Sequence, residues 1–299
     1  MSKKRKRTSV ASSPSHNLSA YHPDLCASDL PASLLAEYTS LLAHCLVHPS
    51  TFPPKLLKYW RHRHSLFSLY SAGCLLDEQS WYSVTPESVA FRTARRCASD
   101  GVVVDLFAGA GGNAIQFAMT CARVIAVEVD EVKLRLAKWN ARVYGVEDRI
   151  TFVHGDSIEL LERLNEWRAG EQKDGEIWKG ITASDMAAVQ AVFLSPPWGG
   201  VDYAQPAPTY SLASILPLDG TSLFTQVHTA FATTNIAYYL PRNTALSELS
   251  RLAASLTPPQ SAVKVEYNYV NYGSKLSSLT AYYGALAADW DDDTDDWRS

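Results

Sequence analysis

The sequence predicts an α/β fold, a mostly parallel sheet wrapped by helices on both faces, with a small helical lobe ahead of it. Three observations carry this. From residue 101 onward, short β-branched or apolar runs alternate with stretches of helical spacing, the pattern of parallel strands joined by crossover helices. A glycine-rich loop, "DLFAGAGGN" (105–113), joins the first strand to its helix. Residues 29–48 carry apolar groups at helical spacing instead. At 299 residues and 46% hydrophobic, the chain is long enough for a full core with one small accessory lobe.

The elements follow in order. "DLPASLLAEYTSLLAHCLVH" (29–48) reads as a helix opened by an Asp cap and a Pro. "PKLLKYWRHRHSLFSLY" (54–70) is a basic, aromatic segment. "GVVVDLF" is a buried strand and "GNAIQFAMT" its helix. "RVIAVEV" is a strand, and "EVKLRLAKWNARVYG" is a helix closed by Gly145. "RITFVHG" is a strand and "SIELLERLNEWR" a helix. The stretch 171–185, "EQKDGEIWKGITASD", reads as a polar, disordered insertion. "AVFLS" and "NIAYYL" are strands, with "TSLFTQVHTAFATT" between them and "LSELSRLAASL" after them as helices. "SAVKVEYNYV" and "KLSSLTAYYGAL" are expected to pair as a hairpin. The expected organisation is a disordered basic arm (1–28), a helical lobe (29–80), the sheet domain (81–286) and an acidic disordered tail (287–299).

Bulk composition narrows the function. A net charge of −4 argues against a blanket nucleic-acid binder, so an anionic partner must meet a local patch. "KLLKYWRHR" supplies Lys55, Lys58, Arg61 and Arg63. Five scattered cysteines with no CxxC pair fit a reducing compartment. No apolar run reaches the ~18 residues of a membrane span, which predicts a soluble, intracellular protein. "KKRKR" (3–7) reads as a nuclear localisation signal or a solvated RNA-binding tail. His44 and His48 lie four apart without a third ligand nearby, so no metal is expected.

In the glycine loop, Gly109, Gly111 and Gly112 let the backbone turn tightly and approach a ligand at a helix N-terminus. The same letters satisfy a dinucleotide fingerprint, with Glu128 where a ribose-binding acid belongs. The loop alone therefore leaves NAD and S-adenosyl-L-methionine open. Asp105 favours the latter: a pyrophosphate there would meet a like charge, whereas a sulfonium and an ammonium suit a carboxylate. Asp156 sits where a side chain can meet the adenine amino group while capping its helix.

"LSPPWGG" (194–200) ends the fourth strand, which by topology neighbours the first. Methyl transfer to an exocyclic amine needs the nitrogen held ~3–3.5 Å from the methyl and in line with it. Ser195 Oγ and the Pro196 carbonyl are candidates to grip the amine hydrogens. Pro197 stiffens the turn, Trp198 offers a flat face for a purine, and Gly199 and Gly200 keep the way in clear. No strong general base is evident near the amine, so the proton is expected to leave after methyl transfer. These residues resemble the Asn/Asp-Pro-Pro-aromatic signature of base amino-methyltransferases, with Ser in the first place. On the residues alone, a different base amine in RNA or DNA, and a binding module that keeps the fold without the chemistry, remain alternatives.

The chain also resembles the trimethylguanosine synthase family, which methylates N2 of 7-methylguanosine RNA caps. The resemblance runs from about Lys58 to Gly284 through "KYW", "LFS", "WYSVTPE", "VVVDLFAGAGGNAIQFA", "RVIAVEVD", "AKWNARVYG", "FLSPPWGGVDY", "YYLPRN" and "TAYYG". It implies the class I S-adenosylmethionine-dependent methyltransferase fold, Rossmann-like with seven strands, and a helical lobe covering the site. It implies that Asp105, Gly109, Gly111, Glu128 and Asp156 hold the donor, with Phe67 and Thr85 closing over it. Ser195 and Pro196 would face the amine, Trp198 would stack on the base, and Asn140 would touch the base's edge. Lys58, Tyr203 and Arg242 would meet the cap's phosphates and sugar. It further implies capped small nuclear and nucleolar RNA as substrate, ribonucleoprotein partners, a monomer, and a place in the nucleus or nucleolus with some in the cytoplasm. Glu128 departs from the family's Asp by one methylene. The long N-terminal region of some members is expected to be missing, so partner binding assigned to it is not carried over.

Overall fold

The first helical turns form around aromatic rings rather than along a continuous apolar stripe. The computed structural model describes residues 30–170, 173–199, 209–270 and 273–288. Five helices precede the sheet: α1 (Ala32–Leu42), α2 (Leu57–Arg61), α3 (Arg63–Leu66), α4 (Ser80–Ser83) and α5 (Glu87–Arg96). The α1 helix stops short of the predicted His48 because the chain finds another partner. Cys45 bridges Asp77, and Leu46 donates to the Leu76 carbonyl while accepting from the Trp81 indole. The basic segment is likewise not one helix. It breaks at His62, where φ is −105° and ψ is 18°, and the Arg63 guanidinium donates to the freed Trp60 carbonyl at 3.1 Å.

The sheet then builds as β1 (Ser99–Asp105), α6 (Gly112–Thr120), β2 (Cys121–Glu128), α7 (Glu131–Val143), β3 (Ile150–His154) and α8 (Ser157–Ala169). A small hairpin, β4 (Glu176–Trp178) and β5 (Ile181–Thr182), leads through α9 (Ala183–Ala188) to β6 (Val189–Leu194). The order closes with α10 (Gly220–Phe231), β7 (Ile236–Pro241), α11 (Leu246–Ser255), β8 (Lys264–Val270) and β9 (Lys275–Tyr282). The seven-stranded sheet runs β3-β2-β1-β6-β7-β9-β8. β1, β2, β3, β6 and β7 are parallel, and β9 enters antiparallel between β7 and β8. The predicted closing hairpin is therefore present.

Both faces of the sheet are covered, which is why its strands read as apolar runs rather than alternations. Val103, Ala126, Phe193 and Tyr239 point into one apolar layer; Val104, Ile125, Val192 and Tyr238 point into the other. The first layer continues without a break into Tyr38, Phe52, Tyr70 and Trp81 of the lobe. The lobe thus shares the sheet's core.

The expected disorder of 171–185 does not hold from Lys173 onward; residues 171 and 172, like the basic arm and the acidic tail beyond Ala288, lie outside the described residues. Two apolar side chains anchor the hairpin: Trp178 is 7% exposed and Ile181 is fully buried. A Cβ on Gly155 would run into the Trp178 ring. The polar residues brace the same contact, with Trp178 Nε1 donating to Glu159 at 3.1 Å, a Thr182–Asp185 capping box, and Arg123 paired to Asp185 at 2.6 Å. Trp178→Ala should therefore lower the unfolding free energy by about 3 kcal/mol, read from urea denaturation of the two proteins; an unchanged midpoint would show that the hairpin adds nothing.

Candidate active site

The sheet order strings the expected site residues along one edge, at the carboxyl ends of the parallel strands where ligands bind in such folds. Asp156 follows β3, Glu128 ends β2, Asp105 ends β1, Ser195 follows β6 and Arg242 follows β7. Asp105 pairs in register with Ala126 on one side and Phe193 on the other.

The loop between β1 and α6 wraps the two inner carboxylates. Gly109 has φ 53° and Gly111 has φ 90°, conformations that L side chains rarely adopt. At Gly111 a Cβ would also stand 3.0 Å from the Ala137 Cα. Gly109 N donates to Glu128 Oε2 at 2.8 Å, and Asp130 N donates to Oε1 at 3.0 Å. Each oxygen keeps acceptor capacity for a ribose hydroxyl. Asp156 Oδ1 accepts from Ile158 N at 2.8 Å, capping α8, and the residue is exposed.

Asp105 is fully buried. Its Oδ1 accepts from Phe107 N at 3.2 Å, while Oδ2 has no hydrogen-bond partner. Burial pushes the carboxyl from its ordinary 3.8 up to about 7; the bond from Phe107 opposes the rise and the neighbouring Glu128 charge adds to it. A buried, unpaired acceptor is costly unless a donor or cation fills it. An ammonium does so and a phosphate does not, which fits S-adenosylmethionine and disfavours a dinucleotide. Among the described residues no cluster of His, Cys, Asp or Glu could hold a metal ion.

The Ser-Pro-Pro-Trp turn is pinned at four points. Ser195 Oγ donates to the Phe107 carbonyl at 3.3 Å, in the glycine loop itself. Leu216 N donates to the Pro197 carbonyl at 3.2 Å, and Tyr210 OH to the Trp198 carbonyl at 3.3 Å. The half-buried Trp198 ring leans on Tyr239, with centroids 5.2 Å apart and planes at 38°. Gly199, with φ 91° and open space where a Cβ would stand, completes the bend.

The lobe reaches the same edge. Thr85, buried, accepts from Asn113 Nδ2 at 2.9 Å in the first turn of α6, and Asn113 Oδ1 is buried without a partner. Phe67 lies in the lobe–sheet seam, 1% exposed, its ring 6.0 Å from that of Tyr144. Glu87 latches this seam by accepting from Ser68 N, from Ser68 Oγ at 2.9 Å and from Tyr144 OH at 2.7 Å. Sequence reasoning missed both Asn113 and Glu87. The only signals were the letter after the paired glycines and the acid that opens α5 behind Pro86.

Asn140 sits where the lobe meets the glycine loop. It is fully buried, its Oδ1 accepting from Leu75 N at 2.8 Å and its Nδ2 donating to the carbonyls of Leu75 and Ala110, each at 3.0 Å. An amide so engaged ties the lobe to the glycine loop, both of its N–H groups being spent on backbone carbonyls. Lys58 and Arg242 are exposed, Lys58 with its ammonium 4.9 Å from the Tyr59 ring centroid. Tyr203 and Gly200 lie outside the described residues.

Comparison with known proteins agrees with this geometry. A family model described as RNA cap guanine-N2 methyltransferase matches residues 100–286. The trimethylguanosine synthase of Schizosaccharomyces pombe is 37% identical over 214 residues, 70% of this chain and 80% of that protein. The trimethylguanosine synthase of Saccharomyces cerevisiae is 34% identical over 220 residues, 71% of this chain and 63% of that protein's length. A solved structure described as a methyltransferase of Porphyromonas gingivalis W83 shares the fold, with a TM-score of 0.55 at 13% identity, covering 86% of this chain and 59% of that one.

Two predictions follow from the buried groups. In the unfolded chain Asp105 ionises near 3.8, in the fold near about 7. Between these values the folded state binds the proton more tightly, so its contribution to stability falls as pH rises and stays lost above about 7. Asp105→Asn should be more stable than the wild type at pH 8, by up to about 4 kcal/mol for a rise of about three pH units at ~1.4 kcal/mol each, while S-adenosylmethionine binding disappears from calorimetry. Equal melting curves and retained binding would contradict the assignment. Asn140→Ala strands a buried N–H and two carbonyls and should cost about 2–4 kcal/mol in urea denaturation.

Proposed function

We propose a residue-level account of cap methylation for this chain, which belongs to the RNA cap guanine-N2 methyltransferase family. It is an S-adenosylmethionine-dependent enzyme that methylates the exocyclic N2 amine of RNA cap guanosine. The donor supplies an electrophilic methyl carbon on a sulfonium centre. In our reading Asp105 takes the donor's ammonium on its unpaired Oδ2, Glu128 takes the ribose hydroxyls, and Asp156 takes the adenine amine.

The observation that carries the reading is the contact between the two halves of the site. Ser195 Oγ gives its own hydrogen to the Phe107 carbonyl, which leaves the hydroxyl oxygen free to accept from the amine. With the Pro196 carbonyl it holds the aryl amine so that its lone pair points across the crevice from the glycine loop. Trp198, backed by Tyr239, carries the base. N7-methylation leaves the purine cationic, and a cation over an indole gains ~0.5–2 kcal/mol beyond plain stacking. The preference for 7-methylguanosine is thus built into one ring. Lys58 and Arg242 take the anionic bridge. The full reading is two successive methyl additions giving 2,2,7-trimethylguanosine on small nuclear and nucleolar RNA. The protein acts as a monomer in the nucleus, with ribonucleoprotein partners and residues 3–7 as import signal.

The test is mass analysis of 7-methylguanosine and plain guanosine dinucleotide caps incubated with enzyme and donor. One and then two methyl groups should appear on the 7-methylated cap, with little on the other; equal turnover of an uncapped oligonucleotide would replace the cap by another base amine. Trp198→Ala should raise KM for the 7-methylated cap by about 5- to 150-fold, as expected from losing 1–3 kcal/mol of stacking. Unchanged kinetics would remove the indole from the site.

A further inference from the structure

One charged surface is larger than the reaction at the strand ends requires. Lys55, Lys58, Arg61, His62 and His64 are all exposed on the lobe, in a chain of net charge −4. None of the five forms an ion pair among the described residues. Arg63 does not belong with them, since its guanidinium lies 4.6 Å from the Trp60 ring centroid and donates to the Trp60 carbonyl. The break at His62 is what turns Arg63 inward and leaves its neighbours outward.

The strip is firmly mounted. Beneath it the rings of Phe52, Trp60, Tyr70 and Trp81 pack with centroids 4.9 to 6.0 Å apart. At one end it runs straight into Phe67 and Ser68, which Glu87 and Tyr144 hold against the sheet. Lys55 to Arg61 spans roughly 9 Å at ~1.5 Å of rise per helical residue, and His62 and His64 follow at and beyond the break, so the strip is longer than a single phosphate contact needs.

We propose that this strip binds the phosphate backbone of the RNA just downstream of the cap, so that the enzyme recognises a capped chain and not the cap alone. The inference rests on the cap-methylation reading, because a capped substrate carries a polyanionic chain beyond the cap. Charge complementarity argues for a polyanion. Contacts of this kind are sequence-independent and weaken steeply with salt.

The experiment compares the 7-methylguanosine dinucleotide cap with a capped ten-nucleotide RNA, by KM and by fluorescence anisotropy at 50 and 200 mM salt. The capped RNA should bind about tenfold tighter at low salt. Its salt slope should be steeper by about 1.4, for the two phosphates that Lys55 and Arg61 meet at ~0.7 each. Combining Lys55→Gln, Arg61→Gln and His64→Gln should erase the advantage while leaving dinucleotide kcat and KM unchanged. Equal affinity of the two ligands in the wild type, equal weakening of both in the variant, or tighter binding of a ten-residue poly-aspartate than of an uncapped ten-nucleotide RNA would overturn it. Failure to turn over the dinucleotide would instead strike the reaction itself.

Discussion

Everything in this site depends on the pairing of β1 with β6. That pairing sets Asp105 beside Phe193 and brings Ser195 Oγ to the Phe107 carbonyl. One side of the seam is a glycine loop with a buried, unpaired carboxylate oxygen. The other is a stiff turn bearing a hydroxyl and an indole. A parallel sheet with this strand order places the two halves edge to edge.

The carboxylate is also a local cost to stability. A buried Asp105 with one oxygen unmet holds its proton up to about pH 7, which the fold tolerates because the surrounding layers are tightly packed. The lobe shares in that support. Its core is continuous with one face of the sheet, Asn140 and Asn113 fasten it to the glycine loop and the first turn of α6, and Glu87 holds Ser68 to Tyr144 at the end of α7. The cover of the site is therefore part of the core that positions it.

Most of the sheet was legible in the sequence because buried parallel strands leave a local mark, a short apolar run followed by a turn. The glycine loop and its carboxylates were legible for the same reason: each sits next to a strand end. Long-range pairing was not. The α1 helix yields to the Cys45–Asp77 bridge, and nothing local marks Asn140 as the amide that makes three hydrogen bonds to Leu75 and Ala110. The 171–185 stretch misled because many polar letters outweighed two apolar ones, Trp178 and Ile181, whose burial settles the matter from Lys173 onward.

The most direct measurement is a crystal structure of the enzyme with S-adenosylhomocysteine and a 7-methylguanosine dinucleotide cap. The account requires the purine lying flat on the Trp198 indole, its amine within hydrogen-bonding distance of Ser195 Oγ and directed at the sulfur, and the ligand's ammonium on Asp105 Oδ2. A purine bound elsewhere on the sheet edge, or an Asp105 oxygen still unfilled beneath a bound ligand, would contradict it.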